Sequence, residues 1–344
     1  MKALITDGHG GLSVDELAIP VIGDYQALTR TLSCGVCAGT DAKIVHGSFK
    51  GFDAYPASLG HEAIGEVVEL GSKVTSFHLG DRVTLPFIYH PTNGVTPGWG
   101  AFAEYGVIGD AAALTAAGRT DFDETYLAQK VLPADVDPVA GAMIVTLREV
   151  FTAVRQFGLE AGQSAVIFGA GPVGLAFTAM AALTGVKRVM VIDIDDAKCA
   201  EASALGATHT LNSTTADAVA WVRNLVPAGV DRVIDAVGVN ALLNQGLGMI
   251  ADRGKLCAYG ISPTTHVDLD WTNAPYNWQL LFHQFPRKAE EGAAHDQIMN
   301  WLRSGQLKLT DFVSHRFDFA HILDAFALVE AHQPGTKKIV ITYP

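Results

Sequence analysis

One short segment restricts the fold of this chain more than any other. The strand-like run Ser164–Phe168 leads directly into Gly169-Ala170-Gly171-Pro172-Val173-Gly174, and an apolar helical pattern follows at once. A G-x-G-x-x-G sequence between a strand and a helix is typical of a dinucleotide-binding unit. Gly169 would permit the tight turn, Gly171 would let a pyrophosphate approach the backbone, and Gly174 would let the helix pack close to its strand.

The residues around this segment alternate between short β-branched runs and longer Ala- and Leu-rich runs. The predicted strands are Ser164–Phe168, Arg188–Ile192, Thr208–Leu211, Arg232–Asp235 and Lys255–Tyr259, and the predicted helices are Pro172–Leu183, Ala197–Leu205, Ala216–Leu225 and Ala241–Ile250. This alternation indicates an α/β fold in which parallel strands are joined by crossover helices. We therefore predict a Rossmann domain, a doubly wound parallel sheet.

An acidic residue ends the second predicted strand. Asp193 lies nineteen residues after Gly174, where the adenosine ribose of a dinucleotide is expected. A carboxylate there accepts hydrogen bonds from the ribose 2′-OH and repels a 2′-phosphate, which favours NAD over NADP. Asp195 and Asp196 would add to that repulsion. The alternative interpretation is that the glycines serve packing alone, as they can in any strand-turn-helix.

The two ends of the chain differ from this central part. Short apolar runs such as Gly65–Leu70 and Arg82–Pro86, separated by Gly, Asp and Pro, predict a mainly β unit in the first 150 residues. Beyond residue 280, helices are expected over His295–Arg303 and Ile322–His332, followed by a strand over Lys338–Tyr343. We expect three segments: 1–150, a Rossmann domain at 151–282, and a return segment at 283–344 whose strand must join a sheet.

Composition excludes several classes of function. The 344 residues carry a net charge of −12, and no run of Lys or Arg is long enough to track a phosphate backbone or an anionic membrane. We see no signal-peptide core and no apolar run that would span a bilayer, so we expect a cytoplasmic protein. The four cysteines are too few for a disulfide scaffold, which favours thiol or metal chemistry.

Two side chains in the first segment are candidate metal ligands. Cys37 and His61 offer a thiolate and an imidazole, which suit Zn²⁺. Neither residue is decisive alone, because a single buried Cys is usually a small apolar side chain and a single His is usually a polar group with its hydrogen bonds satisfied.

The surroundings of His61 resemble a known family. Gly60-His61-Glu62-x-x-Gly65-x₅-Gly71, followed by Gly80-Asp81-Arg82-Val83, is similar to the zinc signature of medium-chain alcohol dehydrogenases. The resemblance runs from Met1-Lys2-Ala3 to Lys337-Lys338-Ile339-Val340. It implies a GroES-like catalytic domain that is split in sequence and completed by the return segment.

The resemblance also implies roles for individual residues. Cys37, His61 and Glu62 would surround one catalytic zinc, which would act on the substrate oxygen as a Lewis acid while hydride passes to NAD. Glu62 resembles the family's acidic residue beside the metal, either a tuning neighbour or a direct ligand. Thr40 resembles the hydroxyl that relays the alcohol proton, although it would also suit an ordinary loop or a helix cap.

The chain departs from the family pattern at three places. The segment Leu85–Tyr105 has no cysteine, so the second, structural zinc of many members is not expected. The position of the third catalytic ligand, counted from Leu132-Pro133, holds Val145. Glu62 could complete the zinc shell, Glu149 could do so one helical turn further on, or zinc could be held weakly.

The third departure is an extra residue between Cys37 and Thr40. It places Lys43 where some members have a relay His. A lysine could pass protons there only if burial lowered its pKa, and a solvated surface position is an equally good interpretation.

The expected substrate is a small alcohol or sugar. The absent lobe and the acid beside the metal resemble the sorbitol and polyol branch, in which a secondary alcohol is oxidised. Tyr89, His90, Trp99 and Phe102 could wall a pocket for such a substrate, or form a packed loop. A homo-oligomer, a dimer or tetramer, is expected. A zinc-free quinone or enone reductase and a non-catalytic dinucleotide-binding protein remain as rival interpretations.

Overall fold

The computed structural model describes residues 1–331, 333 and 335–344. Contacts divide these residues into two compact units. The first unit comprises Met1–Arg148, Arg287–Arg303 and Lys308–Pro344, and the second comprises Glu149–Pro286 with Ser304–Leu307. No helix in the described part of the chain combines the length and the apolar character needed to cross a bilayer.

Short strands dominate the chain as far as residue 148. They are β1 (Lys2–Thr6), β2 (Leu12–Glu16), β3 (Gln26–Val36), β4 (Ala57–Ser58), β5 (Glu62–Leu70), β6 (Arg82–Thr84), β7 (Thr96–Pro97) and β8 (Tyr105–Gly109). The helices are α1 (Asp41–Val45), α2 (Ala111–Ala116), α3 (Pro138–Gly141) and α4 (Met143–Phe157). Asp110 and Asp137 begin α2 and α3 by accepting backbone N–H groups of the first turn.

The second unit is built on a parallel sheet. Its strands are β9 (Ser164–Phe168), β10 (Arg188–Asp193), β11 (His209–Asn212), β12 (Val230–Asp235), β13 (Ile250–Ala258) and β14 (Trp278–Phe282). The connecting helices are α5 (Pro172–Leu183), α6 (Asp196–Ala204), α7 (Ala218–Leu225) and α8 (Asn240–Leu247). All neighbours pair in parallel in the order β11-β10-β9-β12-β13-β14, which is the doubly wound Rossmann order. The predicted fold class is confirmed.

The remaining residues return to the first unit. They form α9 (Lys288–Ala293), α10 (His295–Arg303), β15 (Val313–Asp318), α11 (Ile322–Glu330) and β16 (Lys338–Thr342). The predicted helix Ile322–His332 thus ends at Glu330, and His332 lies outside the described residues.

Strand β16 gives the return segment its place in the first unit. It pairs antiparallel with β3, so the main sheet has the order β15-β16-β3-β5-β6, with β8 also paired to β3. A smaller sheet has the order β2-β1-β4-β7. A buried ion pair, Arg148 Nη2 to Glu291 Oε1 at 2.6 Å, ties α9 to the N-terminal part of the chain. Residues from both ends of the sequence therefore share one apolar core, including Phe102 and Phe326.

Candidate metal centre and cofactor loop

Three potential metal ligands meet in the first unit. Cys37 follows β3, His61 precedes β5, and Glu62 is the first residue of β5. One donor atom from each side chain lies within 4.8 Å of the other two, and no other such cluster of His, Cys, Asp and Glu occurs among the described residues. With bonds of about 2.0–2.3 Å, the donor atoms around one tetrahedral Zn²⁺ lie about 3.3–3.8 Å apart, so the three donors need to approach one another by no more than about 1.5 Å to share one ion.

Asp41 supports this group from behind. Its Oδ2 accepts the backbone N–H of Cys37 at 2.9 Å, and its Oδ1 lies 3.5 Å from Nδ1 of His61. Both of the latter atoms are buried and have no other hydrogen-bond partner. An imidazole whose Nδ1 faces a carboxylate presents Nε2 to a metal, which is the usual arrangement at zinc sites. The donor set and its support therefore fit a zinc ion.

Electrostatics around His61 agree with this fit. Burial alone lowers the pKa of the imidazole, but the hydrogen bonds and charges of Asp41 and Cys37 outweigh it and raise that pKa well above its ordinary value. Asp41 and Cys37 thus make the surroundings of His61 favourable for positive charge. A divalent cation bound there would replace the imidazole proton.

The carboxylate of Glu62 has two further partners. Its Oε1 accepts the hydroxyl of Thr146 at 2.8 Å, and its Oε2 accepts Nζ of Lys338 at 2.5 Å. Sequence reasoning missed Asp41, Thr146 and Lys338 as parts of this site. Asp41 directly follows Thr40 and carried a weak signal, whereas nothing near Glu62 in the sequence points to the other two residues.

Thr40 and Lys43 lie on the same loop and helix as Cys37. Thr40 is buried at the start of α1, and its hydroxyl does not cap that helix. The alternative role as a helix cap therefore finds no support. Lys43 is half-buried, and its Nζ donates to the carbonyl of Gly39 at 2.8 Å. Burial lowers the pKa of its ammonium group, although the charge of Cys37 opposes the shift.

The expected third-ligand position is apolar in structure as well as in sequence. Val145 is fully buried within the main hydrophobic cluster of the first unit. Glu149 belongs to the second unit and is not a member of the donor cluster. Of the two candidates for the third ligand, Glu62 and Glu149, the donor cluster contains only Glu62.

Aromatic side chains lie next to the donors. The ring of Trp99 is 5.2 Å from the imidazole of His61, and Trp99 has a left-handed backbone conformation with φ +65°. Such a conformation is rare for a bulky residue and is often found at functional sites. Trp99 and Tyr89 line a cavity of about 250 Å³. Phe102 instead packs in the core, and His90 is exposed at a neighbouring cavity of about 500 Å³.

The glycine loop of the second unit, residues 169–174, is built from backbone groups, whereas the donor cluster is built from side chains. Gly169 has φ +90°, and Gly171 precedes Pro172 and Val173 at the start of α5. A side chain on Gly174 would collide with the carbonyl oxygen of Gly169, whereas a Cβ on Gly171 would meet nothing within 4 Å. The loop is therefore tight at Gly174 and open at Gly171, where a pyrophosphate would approach.

Asp193 lies directly beside this loop. Its Oδ2 accepts the backbone N–H of Ala170 at 2.6 Å, and its Oδ1 accepts those of Ile194 and Asp195. The carboxylate is thus fixed at the end of β10. Oδ2 accepts only one of these three bonds, so it keeps a lone pair for a further donor.

Two family models match the chain. The model described as alcohol dehydrogenase GroES-like domain matches residues 23–117, and the one described as zinc-binding dehydrogenase matches residues 172–284. The NADP-dependent isopropanol dehydrogenase of Clostridium beijerinckii is 32% identical over 280 residues, which cover 74% of each chain. This chain belongs to the zinc-type medium-chain alcohol dehydrogenase family.

Other medium-chain dehydrogenases match over almost the full length. The D-xylulose reductase of Saccharomyces cerevisiae is 26% identical over 359 residues, covering 100% of this chain and 98% of the relative. A solved structure of a putative zinc-binding dehydrogenase from Sinorhizobium meliloti 1021, bound to NADP, has a TM-score of 0.81 at 25% identity and covers 99% and 98% of the two chains. The family assignment thus rests on both units of this dehydrogenase.

Proposed function

We propose that this dehydrogenase oxidises a secondary alcohol of a polyol or sugar-type substrate to a ketone, using one zinc ion and NAD. The observation that carries the proposal is the convergence of Cys37, His61 and Glu62 within 4.8 Å, with Asp41 oriented behind His61. This group combines the donors of a catalytic zinc site with the carboxylate that fixes an imidazole ligand.

The residues around the donors have distinct roles in this proposal. Cys37, His61 and Glu62 would hold the zinc, which supplies a Lewis acid for the substrate oxygen. The hydroxyl of Thr40 would accept the alcohol proton and pass it outward. It suits this role because it is buried beside Cys37 and does not cap α1.

Asp193 supports the choice of NAD. Two similar proteins are described with NADP, so the preference for NAD depends on residues of this chain itself. The carboxylate of Asp193 is fixed at the end of β10 by three backbone N–H groups. A carboxylate fixed at this point accepts a hydrogen bond from the ribose 2′-OH of NAD and repels the 2′-phosphate of NADP.

The cavity beside Trp99 supports a polyol or sugar substrate. Its lining combines aromatic faces, including Trp99 and Tyr89, with polar groups at Asp123 and Thr125. Such a lining suits a molecule that has both C–H faces and hydroxyl groups. The similarity to a D-xylulose reductase is in keeping with this choice.

We further propose a homo-oligomer, a dimer or tetramer, located in the cytoplasm. The second unit exposes several aromatic side chains, among them Trp271, Tyr276 and Phe282. Exposed apolar groups of this size favour contact with another chain. All four cysteines are free, as expected in a reducing compartment. Light scattering after size-exclusion chromatography would measure the mass, and a monomer would contradict the proposed assembly.

Metal analysis and coenzyme reduction together test the proposed function. The purified protein should contain one zinc per chain, reduce NAD⁺ in preference to NADP⁺, and act on a secondary-alcohol polyol better than on a primary alcohol. A chelator should abolish the activity, and added Zn²⁺ should restore it. Protein that holds no zinc and reduces neither coenzyme with any alcohol of the panel would contradict the proposal and favour a non-catalytic dinucleotide-binding protein.

A further inference from the structure

The carboxylate of Glu62 is held at both of its oxygens by buried protein donors. Thr146 donates to its Oε1 at 2.8 Å and Lys338 donates to its Oε2 at 2.5 Å. Glu62, Thr146 and Lys338 are each only 2% exposed. Because both oxygens have a protein donor, rotating the carboxylate would break a buried hydrogen bond on each side.

The backbone nearby leaves space for this arrangement. Gly35 on β3 pairs with Glu62 on β5 and with Val340 on β16. A Cβ on Gly35 would lie 2.6 Å from Oε2 of Glu62. The position thus accommodates the carboxylate only in the absence of a side chain.

Thr146 also directly follows Val145, the residue at which the chain departs from the family pattern. Val145, at the expected third-ligand position, is apolar and fully buried. The next residue along α4 places its hydroxyl on the one acidic side chain of the donor cluster. In this chain, that part of α4 therefore contacts the site through Glu62 and offers no ligand of its own at residue 145.

We infer that Thr146 is a positioning residue that, together with Lys338, orients the carboxylate of Glu62 toward Cys37 and His61 and so sets the zinc affinity of the site. The inference rests on the proposed zinc-dependent function. A carboxylate oxygen has two lone pairs, so Oε1 can accept the hydroxyl and still face a cation. Groups that orient metal ligands in this way typically change metal affinity by about 10–100-fold when they are removed.

Two substitutions of Thr146 test the inference. Thr146→Val keeps the shape of the side chain and removes the hydroxyl, and we expect zinc to bind at least about tenfold more weakly. Thr146→Ser restores the hydroxyl, and its zinc affinity should return to within about twofold of the unaltered protein. The measurement is the zinc dissociation constant, determined by competition with a chromophoric chelator.

Thr29→Val provides a matched control. Thr29 is also fully buried in the first unit, but its hydroxyl donates to the carbonyl of Gly106, away from the donors. The Thr29→Val protein should have a lower free energy of unfolding, but its zinc dissociation constant should be unchanged. Should Thr146→Val fold poorly, Gly35→Ala displaces the same carboxylate from β3, and we expect it to weaken zinc binding while leaving Thr146 in place.

The outcomes separate this inference from the proposed function. Unaltered protein that binds no zinc would refute the proposed function and the inference with it. Stoichiometric zinc in the unaltered protein, with equal affinity in folded Thr146→Val, would overturn the inference alone, and so would equal affinity in Gly35→Ala if Thr146→Val does not fold. A Thr146→Ser variant as weak as Thr146→Val would also overturn it, because the hydroxyl would then not be the deciding group.

Discussion

The cofactor loop of the second unit and the donor cluster of the first unit are constructed in opposite ways. The loop occupies six consecutive residues, 169–174, and offers mainly backbone N–H groups and space. The donor cluster depends on side chains, and Glu62 is separated from its partner Lys338 by 276 positions in the sequence. A backbone site of this kind depends on residues without side chains, whereas the side-chain site depends on particular functional groups and on the long-range fold.

The largest effect is expected for Cys37→Ser, which should abolish zinc binding in the first unit without changing NAD⁺ binding by the second unit. Cys37→Ser removes the thiolate, and we expect zinc to be lost and kcat/KM to fall by about 10³-fold or more, because the Lewis acid supplies several kcal/mol. NAD⁺ should still bind to the second unit with an unchanged dissociation constant. Cys199→Ser, at a buried cysteine of the second unit, is the control and should retain zinc and activity. Full activity in Cys37→Ser would contradict the assigned site.

Lys338→Met tests how far the first unit depends on a buried charge pair. It leaves the carboxylate of Glu62 buried without its cation, so we expect the free energy of unfolding to fall by about 3–5 kcal/mol. Adding Glu62→Gln to this variant should recover much of the loss, although not the zinc. Lys337→Met at the neighbouring position serves as the control in the same urea titration. A loss below about 1 kcal/mol in Lys338→Met would show that Glu62 does not need the pair.

The polar interior of the first unit also predicts a pH dependence. Burial and the nearby Arg148 guanidinium lower the pKa of His295 to about 4, against 6.5 for the unperturbed group. The unfolded chain therefore binds a proton more readily between these values, so stability falls as pH drops from 6.5 to 4, by up to about 3 kcal/mol. Urea unfolding across this range should show the loss. His295→Gln should flatten the profile, and an unchanged profile would exclude His295 as its source.

The smallest effects should distinguish two glycines of the cofactor loop. Gly174→Ala forces a methyl group against the carbonyl of Gly169, and we expect it to lower the stability of the coenzyme-free protein by about 1–3 kcal/mol. Gly171→Ala meets nothing within 4 Å and should leave that stability unchanged while weakening NAD⁺ binding. Thermal unfolding and coenzyme titration measure the two effects. Equal NAD⁺ affinity in Gly171→Ala would show that the pyrophosphate does not approach there.

The same contrast explains which structural features the sequence predicted. The strand Ser164–Phe168 and the helix Pro172–Leu183 form at the predicted residues because the buried strand, the glycines and Pro172 are all local signals. The strand Trp278–Phe282 was missed, since it lies at the sheet edge with partly exposed side chains and has no alternating pattern. His61 and Glu62 were predicted as donors through the Gly60-His61-Glu62 motif, and Cys37 through the suitability of a thiolate for zinc and the family resemblance. Thr146 and Lys338 were not, because only the folded sheet brings them to Glu62.

The antiparallel pairing of β16 with β3 sets an order of events during synthesis. Nascent chains grow at about 5–20 residues per second, so β3 is exposed for roughly 15–60 s before residue 338 leaves the ribosome. During that interval the residues of the Rossmann sheet have already emerged and are free to fold. The proposed ligands Cys37, His61 and Glu62 are made early, whereas the ammonium group that balances Glu62 is made 276 residues after it. On the ribosome, the candidate metal pocket therefore stays incomplete until after the strands of the Rossmann sheet have emerged.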